Sequence, residues 1–443
     1  MLFLSLKYLQ STHYFQRLTD TGHSVYPQVT ALPEWVRTPL GMDTGYVSET
    51  ARHYDLSWRA VACGYIGEAP VYTHTEPLPV IDEYRFVKKY FHPGWAVYML
   101  LLRLLSLKNP IRELQAWLRT RKVKREPYYR NPVSYPAWDT FVSPLLASQP
   151  KVSVVIPTLN RYAALTNVLR DLEKQDYTHM EVIVVDQSDD FQAAFYAAFA
   201  LDIKLIRQEE KALWLARNTA IQQATGSLIA LSEDDVRIGP DWLSQHIKAL
   251  DFFKAEVSAG VFYPQGESIP PARAYFALAT QFATGNALLY RRVFKKTGLF
   301  DRQFEKQRMG DGEFGMRLYL QGIKSISNPY ASCLDVKAPT GGLREMGSWD
   351  AYRPSRVFAP RPLPSVTYYY RRYFGNRAAR LALLKQVPLS VMPYAFKHSK
   401  PLQAVGVLVS VLLLPLLVFQ VWQSWRLGGK KLKEGSRIDG VVE

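Results

Sequence analysis

The sequence is poor in cysteine and unremarkable in glycine and proline. Its 443 residues include only Cys63 and Cys333, too few for a disulfide framework, a multi-cysteine zinc site or an iron–sulfur centre. This cysteine content also indicates a reducing compartment. Glycine and proline number 25 and 28, which excludes collagen-like repeats and wholesale disorder. The hydrophobic content of 48% suffices for a sizeable core, and the length favours more than one folding unit.

Acidic residues are absent between Asp350 and Glu434, where the chain contains 14 lysines and arginines. This stretch accounts for most of the net charge of +16, because the rest of the chain is nearly neutral. Such a basic stretch is typical of proteins that contact anionic membranes or nucleic acids.

An uncharged apolar segment lies inside this basic stretch. Residues 401–425 carry no charge and are rich in Val and Leu, which predicts a helix that spans or enters a bilayer. Pro415 leaves a kinked, re-entrant shape open as the alternative to a straight span. Basic residues flank both ends, so the positive-inside rule does not fix the orientation. Residues 368–400, which are rich in arginine and aromatic residues, would be attracted to anionic headgroups on the cytoplasmic leaflet.

Residues 1–145 contain no internal repeat and no motif that indicates a function. Within them, the apolar residues 95–107 are followed by a series of basic residues that extends to Arg125. Both an interfacial amphipathic helix and a packed helix with a solvated basic face fit this pattern. Four prolines in residues 131–150 predict an irregular linker.

Beyond Pro150 the sequence alternates between strand and helix patterns. Buried strands are predicted at 152–156, 181–186, 203–206 and 227–232, and helices at 161–175 and 213–224. This alternation predicts an α/β fold with a mostly parallel sheet. Because ligands bind beyond the carboxyl ends of parallel strands, we expect a site near 157–161, Asp186 and the residues after 232.

Three consecutive carboxylates, Glu233, Asp234 and Asp235, directly follow the last of these strands. Adjacent carboxylates repel one another, and a divalent cation would offset that cost. Oxygen ligands suit Mg²⁺ or Mn²⁺. An acidic first turn of a helix near Pro240 is the structural alternative. The position at a strand end favours the metal.

Five blocks of this region resemble the family 2 glycosyltransferases with the GT-A fold, in order and in approximate spacing. The blocks are KVSVVIPTLNR (151–161), EVIVVDQSDD (181–190), ARNTAIQQATGSLIALSEDDVRIGPDWL (216–243), TGNALLYRRVFKKTGLFD (284–301) and GDGEFGMRLYLQGIKSI (310–326). The resemblance covers about residues 151–345. It implies a GT-A-like, Rossmann-related, mostly parallel sheet flanked by helices, here with an N-terminal extension and a C-terminal hydrophobic helix. It further implies an inverting transfer from a nucleotide-diphosphate sugar.

The resemblance also implies roles for individual residues. Those expected to bind the nucleotide sugar are Pro157, Thr158, Asn160, Arg161, Asp186, Arg217, Asn218 and Asp234. Metal contacts are expected from Glu233 and Asp235, and contacts to the donor sugar or acceptor from Gly285, Asn286 and Glu313. Asp311 matches the catalytic base, with Glu313 in reserve. This chain has Gly310 where the family usually has Glu, which puts acceptor recognition in question.

The predicted domains are an N-terminal region (1–145), a catalytic domain (146–345), a basic region (346–400), an apolar helix (401–425) and a basic tail (426–443). We expect a metal-dependent inverting glycosyltransferase on an anionic membrane, with its catalytic domain on the cytoplasmic face. Its acceptor would be a lipid-linked or cell-surface glycan, and nucleic acid is not an expected partner. A catalytically inactive, sugar-nucleotide-binding membrane scaffold is one alternative. A basic RNA-binding protein is another, but it leaves the acidic triplet and residues 401–425 unexplained.

Overall fold

The computed structural model describes residues 1–338, 340–342, 350–354, 356–396 and 399–441. Parts of the predicted catalytic domain, basic region and tail therefore lie outside the described residues. The chain divides into two compact units. Unit 1 consists of Met1–Tyr135, Tyr275–Thr280 and Phe374–Lys385. Unit 2 consists of Pro136–Ala274, Gln281–Tyr373 and Gln386–Glu443.

The secondary structure elements are numbered in chain order. The strands are β1 (Val152–Thr158), β2 (Met180–Asp186), β3 (Ile203–Arg207), β4 (Leu228–Ser232), β5 (Val236–Ile238), β6 (Val257–Pro264), β7 (Ala277–Leu278), β8 (Asn286–Tyr290) and β9 (Ser325–Asp335). The helices are α1 (Leu6–Leu9), α2 (Glu34–Leu40), α3 (Glu49–Ala62), α4 (Val80–Tyr90), α5 (Pro93–Leu105), α6 (Pro110–Arg119), α7 (Ala137–Thr140), α8 (Pro144–Ala147), α9 (Tyr162–Leu172), α10 (Leu213–Gln223), α11 (Trp242–Phe252), α12 (Arg292–Thr297), α13 (Gly310–Leu320), α14 (Pro364–Leu389), α15 (Lys400–Leu412) and α16 (Leu414–Glu434).

Unit 2 is built on a mixed sheet with the strand order β3-β2-β1-β4-β8-β6-β9-β5. The first four strands are mutually parallel. The strand β8 then pairs antiparallel with β4 and β6, β9 runs parallel to β6, and β5 is antiparallel to β9. The predicted α/β class is confirmed. The parallel arrangement holds for the first half of the sheet, and the second half is mixed.

Hydrophobic periodicity explains why the first half of the sheet forms. Every residue of β1 is buried, as expected for a parallel strand that is covered on both faces. On α9, Leu165, Val168, Leu169 and Leu172 lie on one helical face and are fully buried in the same core. Each side chain of this size contributes about 1.5–3 kcal/mol when it is fully buried. The core thus holds the carboxyl ends of β1, β2 and β4 at one edge of the sheet.

Unit 1 is helical and is held together by aromatic stacking and buried ionic bonds. The rings of Phe3 and Phe86 stack with centroids 3.8 Å apart. Asp55 of α3 accepts hydrogen bonds from Tyr46 at 2.8 Å and from Tyr90 at 2.7 Å. The helix expected within residues 95–107 is confirmed as α5. The predicted linker 131–150 contains the short helices α7 and α8.

The apolar residues 401–425 form parts of α15 and α16 rather than one straight helix. Among the described residues, no single helix has the length and hydropathy to cross a bilayer. Two consecutive helices, Pro401–Leu412 and Leu414–Glu434, together have the length and composition of a broken span or a re-entrant loop, with a bend of 89° between them. The bend precedes Pro415, which lies in the first turn of α16, where a missing N–H costs nothing. Farther along α16, Gly428 approaches Thr367 so closely that an added Cβ would lie 2.3 Å from its Oγ1.

Candidate functional site

The acidic triplet and the end of β1 meet at the carboxyl edge of the sheet. β1 and β4 are parallel neighbours, so the residues that follow them share this edge. Thr158 donates its hydroxyl to Asp234 Oδ2 at 2.8 Å. Arg161 Nη1 lies 2.9 Å from Asp234 Oδ1 and 3.0 Å from Asp235 Oδ2. The structure therefore brings together residues that the sequence separates by more than 70 positions.

Arg161 is fixed from its other side by a segment that sequence reasoning did not include. Its Nε and Nη2 donate to the carbonyls of Thr340 and Gly341 at 2.9 and 3.2 Å. The backbone N–H of Ala338 donates to Asp235 Oδ2 at 3.1 Å. An added Cβ at Gly341, whose φ is +73°, would lie 2.6 Å from the carbonyl oxygen of Leu159. The close approach of these two loops explains the glycine.

A second arginine, Arg217 of α10, lies beneath the triplet. Its side chain is fully buried and donates to the carbonyl of Thr284. Its Nη2 is 3.4 Å from Glu233 Oε1. Its Nε has no hydrogen-bond partner among the residues that the structure describes. Burial lowers the pKa of Arg217, whereas the charges of Glu233 and Asp311 oppose that shift.

Among the described residues, the three carboxylates form ion pairs with two guanidinium groups, those of Arg161 and Arg217. Burial raises the pKa of Glu233 to about 7; Arg217 opposes this shift, and Asp235 and Asp234 add to it. The pKa of Asp234 is also raised, mainly by burial, with Arg161 opposing. Yet 42% of the Glu233 side chain remains accessible. An excess of negative charge beside an accessible carboxylate is what a bound cation would relieve.

The oxygen donors fit a hard divalent cation in chemical type and in charge, with Glu233 and Asp235 as the ligands. Within the described ranges, however, no group of three or more His, Cys, Asp or Glu side chains is arranged to hold a metal ion. Asp235 also shares one oxygen with Arg161. The described residues therefore supply at most a partial coordination shell, of the kind that Mg²⁺ completes with substrate phosphates and water.

Gly285 is required by the position of Glu233. An added Cβ at Gly285 would lie 2.7 Å from both Cγ and Cδ of Glu233. Thr284, just before it, accepts from Arg217. The turn before β8 therefore positions both Glu233 and the guanidinium of Arg217. Gly285 contributes to the candidate site because a larger residue would overlap with Glu233.

Asp186, at the end of β2, is enclosed by two tyrosines. Its Oδ2 accepts from the hydroxyls of Tyr162 at 2.6 Å and Tyr196 at 2.8 Å, and its Oδ1 accepts from the backbone of Ser188 at 2.9 Å. No surface of Asp186 is exposed. A direct contact of Asp186 with a nucleobase stays a prediction; in this arrangement the carboxylate orients the tyrosines.

Asn160 links the loops that follow β1 and β2. It has a φ of +55°, a left-handed conformation that Asn tolerates better than most residues. Its amide exchanges two hydrogen bonds with Asp189, at 2.9 and 3.0 Å. Pro157 is buried within β1. Both residues shape the loop that carries Arg161.

Asn286 was expected to contact a sugar, and the structure corrects this. Its side chain has no exposed surface. Its Oδ1 accepts from Trp242 Nε1 at 2.7 Å, and its Nδ2 donates to the carbonyl of Ala331 at 2.9 Å. A side chain whose polar groups are satisfied inside the core is structural. Asn286 ties α11 and β9 to the start of β8.

Asn218 and Glu313 need the same correction. Asn218 exchanges two hydrogen bonds of 2.9 Å with the backbone of Phe300, so its amide is used to anchor that segment. Glu313 is fully buried. It binds Arg317 Nε with its two oxygens at 2.9 and 3.1 Å and also accepts from Tyr373. Neither side chain is free to contact a nucleotide sugar or an acceptor.

Asp311 lies in the first turn of α13 and is partly exposed. Its Oδ1 accepts from the backbone of Gly312 at 2.8 Å, and its charge acts on Arg217. The residue before the helix, Met309, has a φ of +81°, a conformation that costs energy for a non-glycine residue and is common near active sites. Of the two acids in this block, Asp311 is partly exposed and Glu313 is fully buried.

Gly310 has a structural explanation in Trp214. An added Cβ at Gly310 would lie 2.3 Å from Cζ2 of the Trp214 ring. The indole Nε1 donates to the carbonyl of Phe304 at 3.1 Å, which holds the ring in place. The tryptophan thus fills the space next to Gly310, and a glutamate there would overlap with it.

Sequence reasoning also missed several residues around the site. Glu305 caps α10 by accepting from the backbones of Trp214 and Leu215 at 3.2 and 2.8 Å. Arg308 is exposed and acts on Glu233, whose pKa it lowers. The only sequence signal for Arg308 was that it lies three residues before Asp311. Tyr196, which donates to Asp186, had no such signal, because it lies in a 3-10 helix (Ala193–Ala198) that no motif predicts.

Residues 153–321 match the family model described as glycosyl transferase family 2. This match confirms, for that segment, the resemblance that the five sequence blocks indicate. The segment contains most of β1, the acidic triplet and Asp311, whereas Ala338, Thr340 and Gly341, which contact Asp235 and Arg161, lie beyond it.

Individual relatives are similar over the same part of the chain. Glycosyltransferase GlyA of Streptococcus pneumoniae is 26% identical over 163 residues, which cover 36% of this chain and 22% of GlyA. Glycosyltransferase AglE of Haloferax volcanii is 26% identical over 169 residues, or 36% of this chain and 55% of AglE. The match thus spans from about a fifth to about half of these relatives. The solved structure of S. aureus TarS 1-349 in complex with UDP-GlcNAc is similar at 19% identity and a TM-score of 0.43, covering 64% of this chain and 92% of that one.

Proposed function

We propose that the protein is an inverting glycosyltransferase that moves a sugar from a nucleotide-diphosphate donor to a glycan or glycolipid acceptor. The observation that carries the proposal is the juxtaposition, inside the segment that matches the family, of the acidic triplet and Asp311 around Arg217. Charge that stabilises a leaving diphosphate and a carboxylate that accepts a proton are the two requirements of such a displacement.

In the proposed reaction, an acceptor hydroxyl attacks the anomeric carbon of the donor. The bond from that carbon to the diphosphate oxygen breaks with inversion, and the hydroxyl proton moves to Asp311. The cationic group that is exposed and available for the departing nucleoside diphosphate is Arg308. The fully buried Arg217 holds Glu233 at 3.4 Å and so positions the acidic triplet. Mg²⁺ or Mn²⁺ held by Glu233 and Asp235 would neutralise the diphosphate.

The donor and the cation are tested together by calorimetry with a panel of nucleoside diphosphates and nucleotide sugars, with Mg²⁺, with Mn²⁺ and with chelator. We expect binding to require metal, and Asp235→Asn to weaken it by about tenfold or more. Asp190→Asn, an exposed acid beyond β2, is the matched control and should bind normally. Metal-dependent affinity that survives unchanged in Asp235→Asn would contradict the metal assignment.

A membrane-bound scaffold that binds sugar nucleotides without transferring sugar is the second candidate, and Gly310 favours it because the family usually has a glutamate there. The two candidates differ in one measurement. Tight donor binding with neither transfer nor donor hydrolysis, across acceptors that include lipid-linked sugars, would indicate the scaffold. Turnover would indicate the enzyme.

We also propose that the chain is membrane-associated, with unit 2 on the cytoplasmic face. Exposed apolar side chains on the bent pair support this, among them Leu408, Val411, Leu412 and Val418. Deleting the whole pair would also remove buried contacts of α16 such as Ser424. Substituting Leu408, Leu412 and Val418 with Ser is therefore the sharper test. It should shift the protein from the membrane fraction to the soluble fraction at least in part, and unchanged fractionation would contradict the proposal.

A further inference from the structure

Unit 1 contains a cavity of about 300 Å³ between α4 and the segment that follows α6. Its charged lining residues are Arg85, Lys89, Arg119, Lys122, Lys124 and Glu126. Five cationic side chains thus surround one carboxylate. We call this cavity the basic cavity.

The two cations from α4 have partners inside the protein. Arg85 Nη2 and Lys89 Nζ each lie 2.7 Å from an oxygen of Asp43. Lys89 Nζ is also 3.7 Å from Asp55 and 3.8 Å from Glu126. These ion pairs fix the inner wall of the cavity.

The three cations from the other wall have no such partner. Arg119, Lys122 and Lys124 are exposed, and none of them forms an ion pair with any residue that the structure describes. Converging, unpaired cationic groups in a concave site attract an anion and focus its potential. The outer wall of the basic cavity is therefore available to bind a phosphate.

Exposed apolar side chains lie on α5 and α6, the two helices that precede this wall in the chain. On α5, the face opposite the buried Ala96, Met99 and Leu100 carries Val97, Leu101 and Leu105. On α6, Ile111, Leu114 and Leu118 recur at spacings of three and four residues and are also exposed. We call these six residues the apolar row. Leu105 is 78% exposed, and Leu118 directly precedes Arg119 of the basic cavity.

We propose that the basic cavity binds the phosphate of an anionic membrane lipid while the apolar row enters the boundary between headgroups and acyl chains. The combination of exposed Leu and Ile with adjacent Lys and Arg is what membrane-surface helices present. A soluble phosphate compound would use the cations but would leave the apolar row exposed to water. The binding site is separate from the transfer reaction and does not depend on it.

The test compares flotation of the full chain with vesicles of phosphatidylcholine alone and of phosphatidylcholine mixed with phosphatidylglycerol. The bent helix pair can bind both kinds of vesicle, so the informative quantity is the preference for the anionic one. Each cation near an anionic surface is worth about fivefold in partition. The triple variant Arg119→Gln, Lys122→Gln, Lys124→Gln should therefore reduce the preference by about two orders of magnitude.

The matched control is Lys174→Gln, Arg207→Gln, Lys296→Gln, which removes the same charge from exposed positions of unit 2. It should leave the preference within about twofold of the original protein. Leu105→Ser with Ile111→Ser tests the apolar row and should also reduce binding to anionic vesicles. Calorimetry with inorganic phosphate measures whether the basic cavity binds a soluble phosphate instead of a lipid headgroup.

Three outcomes would overturn the proposal. The first is a triple variant that keeps its preference for anionic vesicles. The second is a control that loses the preference equally, because net charge alone would then explain it. The third is inorganic phosphate that binds tightly to the original protein while Leu105→Ser with Ile111→Ser leaves vesicle binding unchanged. None of these readouts involves sugar transfer, so a failure here is distinguishable from a failure of the proposed enzyme activity.

Discussion

Glu113 of unit 1 and the acidic triplet of unit 2 differ in how their charges are matched. In unit 1, Glu113 binds Arg103 with both oxygens at 2.7 Å and accepts from Tyr84 at 2.9 Å. At the end of β4 in unit 2, three carboxylates face two arginines, and the pKa values of Glu233 and Asp234 are raised. Matched charges of the first kind stabilise a fold, whereas unmatched charges of the second kind are typical of ligand sites.

Cationic side chains also differ in whether an acidic partner matches their charge. Arg103 is buried and fully paired, but Arg119 and Lys122 of the basic cavity face solvent without a carboxylate partner in the described part of the chain. The surplus negative charge after β4 suits a cation, and the surplus positive charge after α6 suits an anion. Of these two sites, only the one after β4 lies within the segment that matches a family model.

The largest effect is expected at Asp311. If it is the base, Asp311→Asn should lower the transfer rate by about 10²- to 10⁴-fold, because base catalysis contributes that much. Donor affinity should stay nearly unchanged, since the amide has the same shape and the charge is needed only when the proton moves. Rates at saturating donor, together with donor titrations, measure the two effects separately.

The control is Asp190→Asn, which should keep both the rate and the donor affinity. Weak donor binding with intact turnover at saturation in Asp311→Asn would make Asp311 a binding residue. The base could not then be Glu313 in this arrangement, because that side chain is enclosed by Arg317 and Tyr373.

The second prediction places one substitution in each unit. Glu113→Gln should destabilise the protein by about 3–5 kcal/mol, because it leaves the buried Arg103 without its countercharge. Glu233→Gln removes one of three repelling charges but also the carboxylate that is paired with the buried Arg217 at 3.4 Å, so we expect a smaller destabilisation, of about 1–2 kcal/mol. Denaturant unfolding of both variants measures the contrast. Equal losses would show that the triplet is a structural cluster like those of unit 1.

Local patterns were sufficient to predict part of this arrangement. The strands β1, β2 and β4 follow from buried β-branched runs, and the position of the triplet follows from the end of β4. The roles of Asn286 and Glu313 could not be predicted, because their partners Trp242 and Tyr373 lie 44 and 60 residues away. A polar residue that is satisfied in the core and one that contacts a ligand look alike in a sequence.

The same limit explains why the first 145 residues yielded no fold. Unit 1 depends on long-range polar bonds, such as that between Tyr90 and Asp55, 35 residues apart. The mixed second half of the sheet was missed for a related reason, since β8 pairs antiparallel with β4 across more than 50 residues. Neither kind of contact leaves a periodic signal in a short window.

The third prediction concerns Gly310, which lies in the segment that matches the family model. Gly310→Ala should destabilise by about 1–3 kcal/mol, because the added methyl group overlaps with the Trp214 ring in a packed region. Combining it with Trp214→Phe should recover part of the loss, since a smaller ring makes room. Thermal unfolding of the two single variants and the double variant tests this coupling. Additive losses would show that the tryptophan is not what excludes a side chain at Gly310.

The smallest effect is expected at Asp43, which connects the stability of unit 1 to its basic cavity. Burial alone would raise the pKa of Asp43, but its bonds to Arg85 and Lys89 outweigh burial and lower the pKa to about 2. Since the folded-state value lies below the unfolded value, this carboxylate stabilises the fold above about pH 4, and the contribution is lost as the pH falls toward 2.

Asp43→Asn should therefore lower the free energy of unfolding by about 1–2 kcal/mol at neutral pH and make it depend less on pH between 4 and 2. It should also release Arg85 and Lys89 toward the cavity and strengthen the preference for anionic vesicles by up to about fivefold. If the variant lost stability but gained no preference for anionic vesicles, the inner wall of the cavity would be structural and the anion would bind to the outer cations alone.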